Sequence, residues 1–234
     1  MHFYGISEHN TKIWVSEEMR DEFQTVWFQG SGSVQSDEWK SGREVVLRFS
    51  VGMRKMVQRH YYRGGAPAYI SKDKFVFSGF NSSRPYKEIC LLMHMYQSGL
   101  PVPKPIAARC IRAGLFYTAD ILMHEISNAK TLMQYIDESP LDKTVWKQIG
   151  RVIKCFHQQG IQHVDLNANN ILLTQAGEIY LIDFDRCVQR NYSQQWVQRG
   201  LSRLQRSLQK QKARHGLTHF SGRDFECLLQ GYQE

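Results

Sequence analysis

Apolar and polar positions alternate through the first third of the chain. Lys12 to Val15, Glu44 to Phe49 and Met56 to Arg59 are short β-branched or alternating segments, separated by Gly30-Ser31-Gly32-Ser33 and Lys40-Ser41-Gly42. This pattern predicts strands joined by turns. The period then changes. Ile89, Leu92, Met93 and Tyr96 fall at i, i+3, i+4 and i+7, predicting a helix from about Pro85 to Gln97, with Pro85 in its first turn and Gly99 past its end. Pro101, Pro103 and Pro105 impose an extended connector, and further strands are expected at Ile106 to Ile111 and Phe116 to Met123. A polar break from His124 to Lys130 separates this strand-rich part from a helical one, which predicts two lobes, 1–126 and 127–234.

In the second part, Val145, Ile149, Val152/Ile153 and Phe156 mark a helix over Asp142 to Gln159, closed by Gly160. Ile171-Leu172-Leu173 and Ile179-Tyr180-Leu181-Ile182 flank the turn signal Gln175-Ala176-Gly177 and predict a small hairpin. From Ser193 onward the pattern is helical again. No apolar run approaches the roughly 18 residues of a membrane-spanning helix. Met1-His2-Phe3-Tyr4-Gly5 lacks the build of a signal peptide. Five dispersed cysteines, none in a C-x-x-C pair, argue against a zinc site or a disulfide framework and for a reducing compartment.

Composition changes the picture in one respect. A hydrophobic fraction of 42% with 22% charged residues excludes a disordered chain. The net charge of +8, however, is unevenly spread. Nine of the 30 basic residues lie between Arg186 and Arg223, where no acid occurs, so the remaining 21 face 22 acids. Such a block attracts a polyanion: nucleic acid, anionic lipid or a phosphorylated substrate. On a helical wheel Trp196, Leu201, Leu204 and Leu208 share one side, and Arg199, Arg203, Arg206 and Lys210 the adjoining one. Two arrangements fit: an interfacial helix among anionic headgroups, or leucines packed inward with the cations outward.

The chemistry is concentrated in His163-Val164-Asp165-Leu166-Asn167-Ala168-Asn169-Asn170, which fits the H-x-D-L-x-x-x-N catalytic loop of the kinase fold. Across the predicted hairpin stands Ile182-Asp183-Phe184-Asp185, where a metal-binding aspartate is expected. Phosphoryl transfer asks for positioning and charge stabilisation. A hard cation on a polyphosphate prefers oxygen ligands, which Asp183 and the Asn170 carboxamide supply. Asp165 is then free to orient an acceptor hydroxyl and take its proton. Upstream, Glu88 on the predicted helix suits the kinase glutamate, while Met56-Val57-Gln58-Arg59 aligns with V-A-I-K and places arginine for lysine. Ser41-Gly42-Arg43 is a reduced glycine loop.

These residues, together with Gln58-Arg59-His60-Tyr61-Tyr62-Arg63-Gly64-Gly65, Ser83-Arg84-Pro85-Tyr86-Lys87-Glu88 and Ala119-Asp120-Ile121-Leu122, make the chain resemble the lipopolysaccharide kinases of Gram-negative bacteria from about Ser41 to Lys210. The resemblance implies an α+β, two-lobed protein-kinase-like fold with a strand-rich N-lobe and a helical C-lobe. It implies ATP and Mg²⁺ as cofactors and phosphorylation of a 3-deoxy-D-manno-octulosonic acid (Kdo) hydroxyl, the 4-hydroxyl, on a lipid A precursor. Asp165 would be the base, with Asn170 and Asp183 binding metal, and Arg59 and Glu88 the phosphate clamp. Backbone groups of Glu125 and Ile126 would meet adenine, and Gly42 would contact phosphate, although the usual G-R-G is here only Gly42-Arg43 followed by Glu44. The expected location is the cytoplasmic face of the inner membrane, held peripherally on its anionic surface by Arg199, Arg203, Arg206 and Lys210.

Two other readings stay open. One is a kinase of the same fold acting on an aminoglycoside, ketosamine or choline, whose cationic substrates suit acidic sites better than this basic chain. The other is a non-catalytic scaffold binding membrane or nucleic acid, against which the intact Asp165, Asn170 and Asp183 count. No nucleic-acid-reading module is recognisable, so nucleic acid is not an expected partner.

Overall fold

Strand pairing extends further than the alternation indicates. In the computed structural model, which describes residues 3–29, 37–41, 44–63, 72–215 and 219–234, one antiparallel sheet contains β1 (Phe3–Glu8), β2 (Thr11–Ser16), β3 (Asp37–Ser41), β4 (Glu44–Val51), β5 (Arg54–His60), β6 (Phe75–Val76), β7 (Pro105–Ala113) and β8 (Phe116–His124). Their order is β1-β2-β7-β8-β5-β4-β3, with β6 on β8. β1, β3 and β6 are additions to the expected strands, and β1 leaves most positions in water, so its alternation is faint. Arg59 therefore lies on the fifth strand in chain order, not the third. With α1 (Arg84–Gln97) as far as His94, this sheet belongs to a compact unit of Met1–His94 and Pro103–Glu125; Met95–Val102 and Ile126–Glu234 form a second.

Register decides which side chains share a face of the sheet. Arg59, Ile121, Ala108 and Trp14 form one row across β5, β8, β7 and β2. This row faces α1, where the Trp14 and Tyr86 rings lie 5.0 Å apart. The next row, His60, Asp120, Arg109 and Ile13, faces the other way. There Ile13, Val15, Met56 and Leu122 pack with Met19, Trp27 and Phe28. Asp120 is buried among them and accepts from His60 (2.8 Å) and Arg109 (2.8 and 3.0 Å). Burial alone would raise its pKa, but the His60 hydrogen bond and the Arg109 charge outweigh that and hold it below the usual carboxylate value.

The second unit contains β9 (Ala129–Thr131), α2 (Leu132–Glu138), α3 (Lys143–Gln158), β10 (Ile161–Gln162), β11 (Ile171–Thr174), β12 (Ile179–Leu181), β13 (Val188–Gln189), α4 (Gln194–His215) and α5 (Gly222–Gln233). β9 and β12 flank β11, and β10 pairs with β13. α2, too short for a periodic signal, is set by a capping box: the Thr131 hydroxyl accepts from Gln134 N–H, and the Gln134 side chain accepts from Thr131 N–H. α3 buries Trp146, Ile149, Ile153 and Phe156. Trp146 takes the core position expected of Val145, which is only half-buried.

α3 and α5 cross backbone to backbone. A Cβ on Gly150 would stand 2.0 Å from the Leu228 carbonyl oxygen, and one on Gly231 2.0 Å from that of Lys147. Between α3, α4 and α5 lies His157, with Nδ1 2.9 Å from the Tyr232 hydroxyl and its ring edge-on to Trp196. Burial, with a smaller contribution from His163, pushes the His157 imidazole down to about 4. α4 buries Trp196, Val197, Leu204 and Leu208 and leaves Arg199, Arg203, Arg206 and Lys210 exposed. Its apolar side is thus packed within the protein and not offered to lipid. Among the described residues, no helix is long and apolar enough to cross a membrane.

Two outcomes are expected. Gly231→Ala should lower the urea midpoint by the equivalent of about 1–3 kcal/mol or more, because both helices must separate. Gly222→Ala, whose added carbon meets nothing within 4 Å, is the control. His157 titrates near 6.5 when unfolded and about 4 when folded, so the unfolded chain binds the extra proton. Stability should therefore fall as pH drops through that window, by about 3 kcal/mol from this residue. Urea unfolding at several pH values should show a shallower decline in His157→Gln.

Candidate active site

Hairpin register brings the metal-ligand candidates together. Ile171 pairs with Leu181, so the residues flanking the hairpin, Asn170 and Ile182, face each other, and Ile182 N–H donates to the Asn170 carbonyl at 3.0 Å. Asp183 follows directly. The spacing of the two candidates along the chain is the length of this hairpin.

Asparagines shape the loop before it. Asn167 Oδ1 accepts from Asn169 N–H (2.9 Å), starting the single 3₁₀ turn Ala168–Asn170. Asn167 Nδ2 (3.0 Å) and Asn170 Nδ2 (2.9 Å) both donate to the Asp165 carbonyl. Leu166 and Ala168 are buried, which turns the Asp165 carboxylate outward, 54% exposed. The His163 ring ties this loop to the hairpin. Its Nδ1 accepts from Asp165 N–H (3.3 Å), so Nε2 carries the proton and donates to the Ile182 carbonyl (2.9 Å). Burial dominates its titration and pushes the imidazole below its ordinary value, despite the nearby carboxylates.

Asp183 has φ +64°, in the left-handed region that aspartate tolerates better than most side chains. Behind it Phe184 is buried against the stacked ring of Phe156 (5.9 Å) and against His163 (4.9 Å). The donor chemistry suits a hard cation. Asn170 spends its amide nitrogen on Asp165, which leaves its Oδ1 as a neutral oxygen ligand beside an anionic one on Asp183. Among the described residues no three His, Cys, Asp or Glu side chains could hold a metal by themselves. The remaining ligands of an ion here would come from phosphate and water.

In the first unit Arg59 and Glu88 pair in the interior, 6% and 3% exposed. Arg59 Nη2 donates to Glu88 Oε1, and the Tyr61 hydroxyl donates to Oε2 at 2.6 Å. The guanidinium also lies over the Tyr61 ring at 4.9 Å. Tyr61, within the R-H-Y segment, thus completes a triad that the sequence reading left as a pair. Glu125 N–H is committed to the Lys55 carbonyl (3.0 Å), and its carboxylate lies 3.7 Å from Arg48. Gly42 lies outside the described residues. On α4, Arg199, Arg206 and Lys210 face solvent as expected, but Arg203 has a further partner: its Nη1 stands 3.5 Å from Asp165 Oδ1.

Comparison with known proteins places this geometry. A solved structure titled "WaaP in complex with acyl carrier protein" superposes with a TM-score of 0.60, covering 94% of this chain and 88% of that chain at 15% identity. The architecture is accordingly the two-lobed protein-kinase-like one, with a strand-rich N-lobe and a helical C-lobe. The pattern of the Lipopolysaccharide kinase (Kdo/WaaP) family matches residues 31–232. The 3-deoxy-D-manno-octulosonic acid kinase of Vibrio parahaemolyticus serotype O3:K6 (strain RIMD 2210633) is 33% identical over 228 residues, 95% of this chain and 94% of that one. The enzyme of the same description from Haemophilus influenzae (strain PittEE) is 41% identical over 181 residues, 75% of this chain and 74% of its own. The chain belongs to the Lipopolysaccharide kinase (Kdo/WaaP) family. Its activity is ATP-dependent phosphorylation of a Kdo-related sugar in lipopolysaccharide biosynthesis, and its fold implies use of a nucleotide and a metal ion.

Removing one member of a buried ion pair strands the other charge, at a cost of about 3–5 kcal/mol. Glu88→Ala should lose that much stability. The double change Arg59→Met with Glu88→Leu should regain most of it in denaturant unfolding.

Proposed function

We propose that the chain transfers the γ-phosphoryl group of ATP, with Mg²⁺, to the 4-hydroxyl of a Kdo residue on a lipid A precursor at the cytoplasmic face of the inner membrane. The observation that carries this reading is the hydrogen-bonded frame of His163, Asp165, Asn170 and Ile182 in a chain of this family. Asp165 orients the acceptor hydroxyl and takes its proton as the new P–O bond forms. Asn170 Oδ1 and the Asp183 carboxylate would hold the metal ion, which when bound offsets the negative charge of the phosphates.

Arg59, braced by Glu88 and Tyr61, would clamp the ATP phosphates, which the planar fork of a guanidinium suits. Backbone groups of Glu125 and Ile126 would meet adenine, and Gly42 would contact phosphate. Arg199, Arg203, Arg206 and Lys210 face the anionic membrane surface, at about 1 kcal/mol for each cation near it. With the apolar side of α4 packed inward, this attachment is electrostatic and salt-sensitive.

The assay is labelled ATP with Mg²⁺ and lipid A precursors with or without Kdo, the phosphate position then being read by NMR. Only the Kdo-bearing acceptor should be labelled, at its 4-hydroxyl; phosphate elsewhere would contradict the regiochemistry. Asp165→Asn should keep nucleotide binding and lose about 10²-fold or more in turnover. Asp183→Asn should lose both.

A further inference from the structure

Phosphoryl transfer to an acidic sugar brings an extra carboxylate to the reacting centre, and the catalytic loop itself has no cation to meet it. From Asp165 to Asn170 the side chains are Asp, Leu, Asn, Ala, Asn and Asn. Among the described residues, the ion-pair partner of Asp165 is Arg203, which comes from α4. The helix is held there by its buried side: Trp196, Leu204 and Leu208 are 3%, 0% and 0% exposed, and α4 packs against β10 and the 168–170 turn.

The Arg203–Asp165 contact is long, at 3.5 Å, and both side chains are about half exposed, 52% and 54%. Such pairs contribute little to stability, on the order of 0–1 kcal/mol, so the fold does not depend on it and another anion can displace it. A guanidinium is suited to that exchange, because its fork binds a carboxylate through two parallel N–H bonds. Beside it, Gln195, Gln198, Arg199, Ser202 and Arg206 form an open polar face of the same helix. Amides, a hydroxyl and two guanidinium groups are what a polyhydroxylated, anionic ligand requires.

We infer that Arg203 is the receptor for the carboxylate of the sugar acceptor. Without acceptor it rests on Asp165; with acceptor it turns to the sugar carboxylate and releases Asp165 to the hydroxyl. The inference rests on the proposed Kdo reaction.

The test uses a water-soluble, delipidated Kdo glycoside and its methyl ester, with wild type, Arg203→Ala and Arg203→Lys in the full chain. Arg203→Ala should raise the KM for the acid tenfold or more, leave that for ATP within twofold, and fold as wild type. With the ester, wild type should already be as poor as the variant, and Arg203→Ala should add less than twofold. Arg203→Lys should recover part of the loss. An equal penalty with acid and ester, confined to kcat, would make the transferred phosphoryl group the anion at Arg203 and overturn the inference. A loss seen only with lipid-borne acceptor on anionic vesicles would leave Arg203 with its membrane contact alone and equally overturn the inference. Wild type that phosphorylates no Kdo acceptor would remove the underlying reading as well, whereas active wild type with an unaffected Arg203→Ala would remove this inference alone.

Discussion

A neutral imidazole at position 163 is the constraint on which the reactive half of the molecule depends. The ring accepts a backbone hydrogen bond on one nitrogen and donates one on the other, roles that a doubly protonated ring could not fill together. Burial against Phe184 keeps it in that state. Aromatic packing and hydrogen bonding are therefore one device. The apolar wall excludes the proton, and the unprotonated nitrogen then fixes the backbone that carries Asp165. The same logic explains the neighbouring His157, neutral between Tyr232 and Trp196, where three helices meet.

The strand-rich unit solves a different problem, burying charge in place of excluding it. Arg59 and His60 are consecutive on β5 and point to opposite faces, one toward Glu88, the other toward Asp120. Each face therefore carries an ionic group whose partner comes from another element. Desolvating such groups is costly unless every hydrogen bond is made, so a slip of β5 by one residue would turn Arg59 away from Glu88 and strand that carboxylate, while Asp120 would keep only Arg109. These pairs specify register more than they add stability.

How far the sequence revealed this depended on where partners lie along the chain. Asp165, Asn170 and Asp183 were legible because a short hairpin turns sequence spacing directly into proximity. Glu88 was legible from helical periodicity, and Arg59 from its place in a strand. By contrast, Arg203 lies 38 positions from Asp165, and only the packing of α4 sets its reach, so the wheel could assign it a face but not a neighbour. Tyr61 escaped notice because nothing in the pattern of a strand says that its hydroxyl meets a helix carboxylate. β1 was hidden by polar, exposed positions, and α2 by its brevity. Trp146 displaced Val145 because neighbouring residues on a helix both border an apolar stripe, and the larger ring took the interior.

The hairpin also determines how this chain can change length. Asn170 and Ile182 face each other through the pairing of β11 with β12, while Gln175, Ala176 and Gly177 only turn the chain round. Insertions at the turn would lengthen the interval between the two metal-ligand candidates without moving either, and loop closure costs little for a few extra residues. A single deletion inside either strand would be different. It would turn the following residues to the opposite face and carry Asp183 away from Asn170, although composition and hydrophobicity would hardly change. Natural length variation among such chains should accordingly gather at the turn and spare the strands, which makes strand length, independently of residue identity, a mark of a working centre.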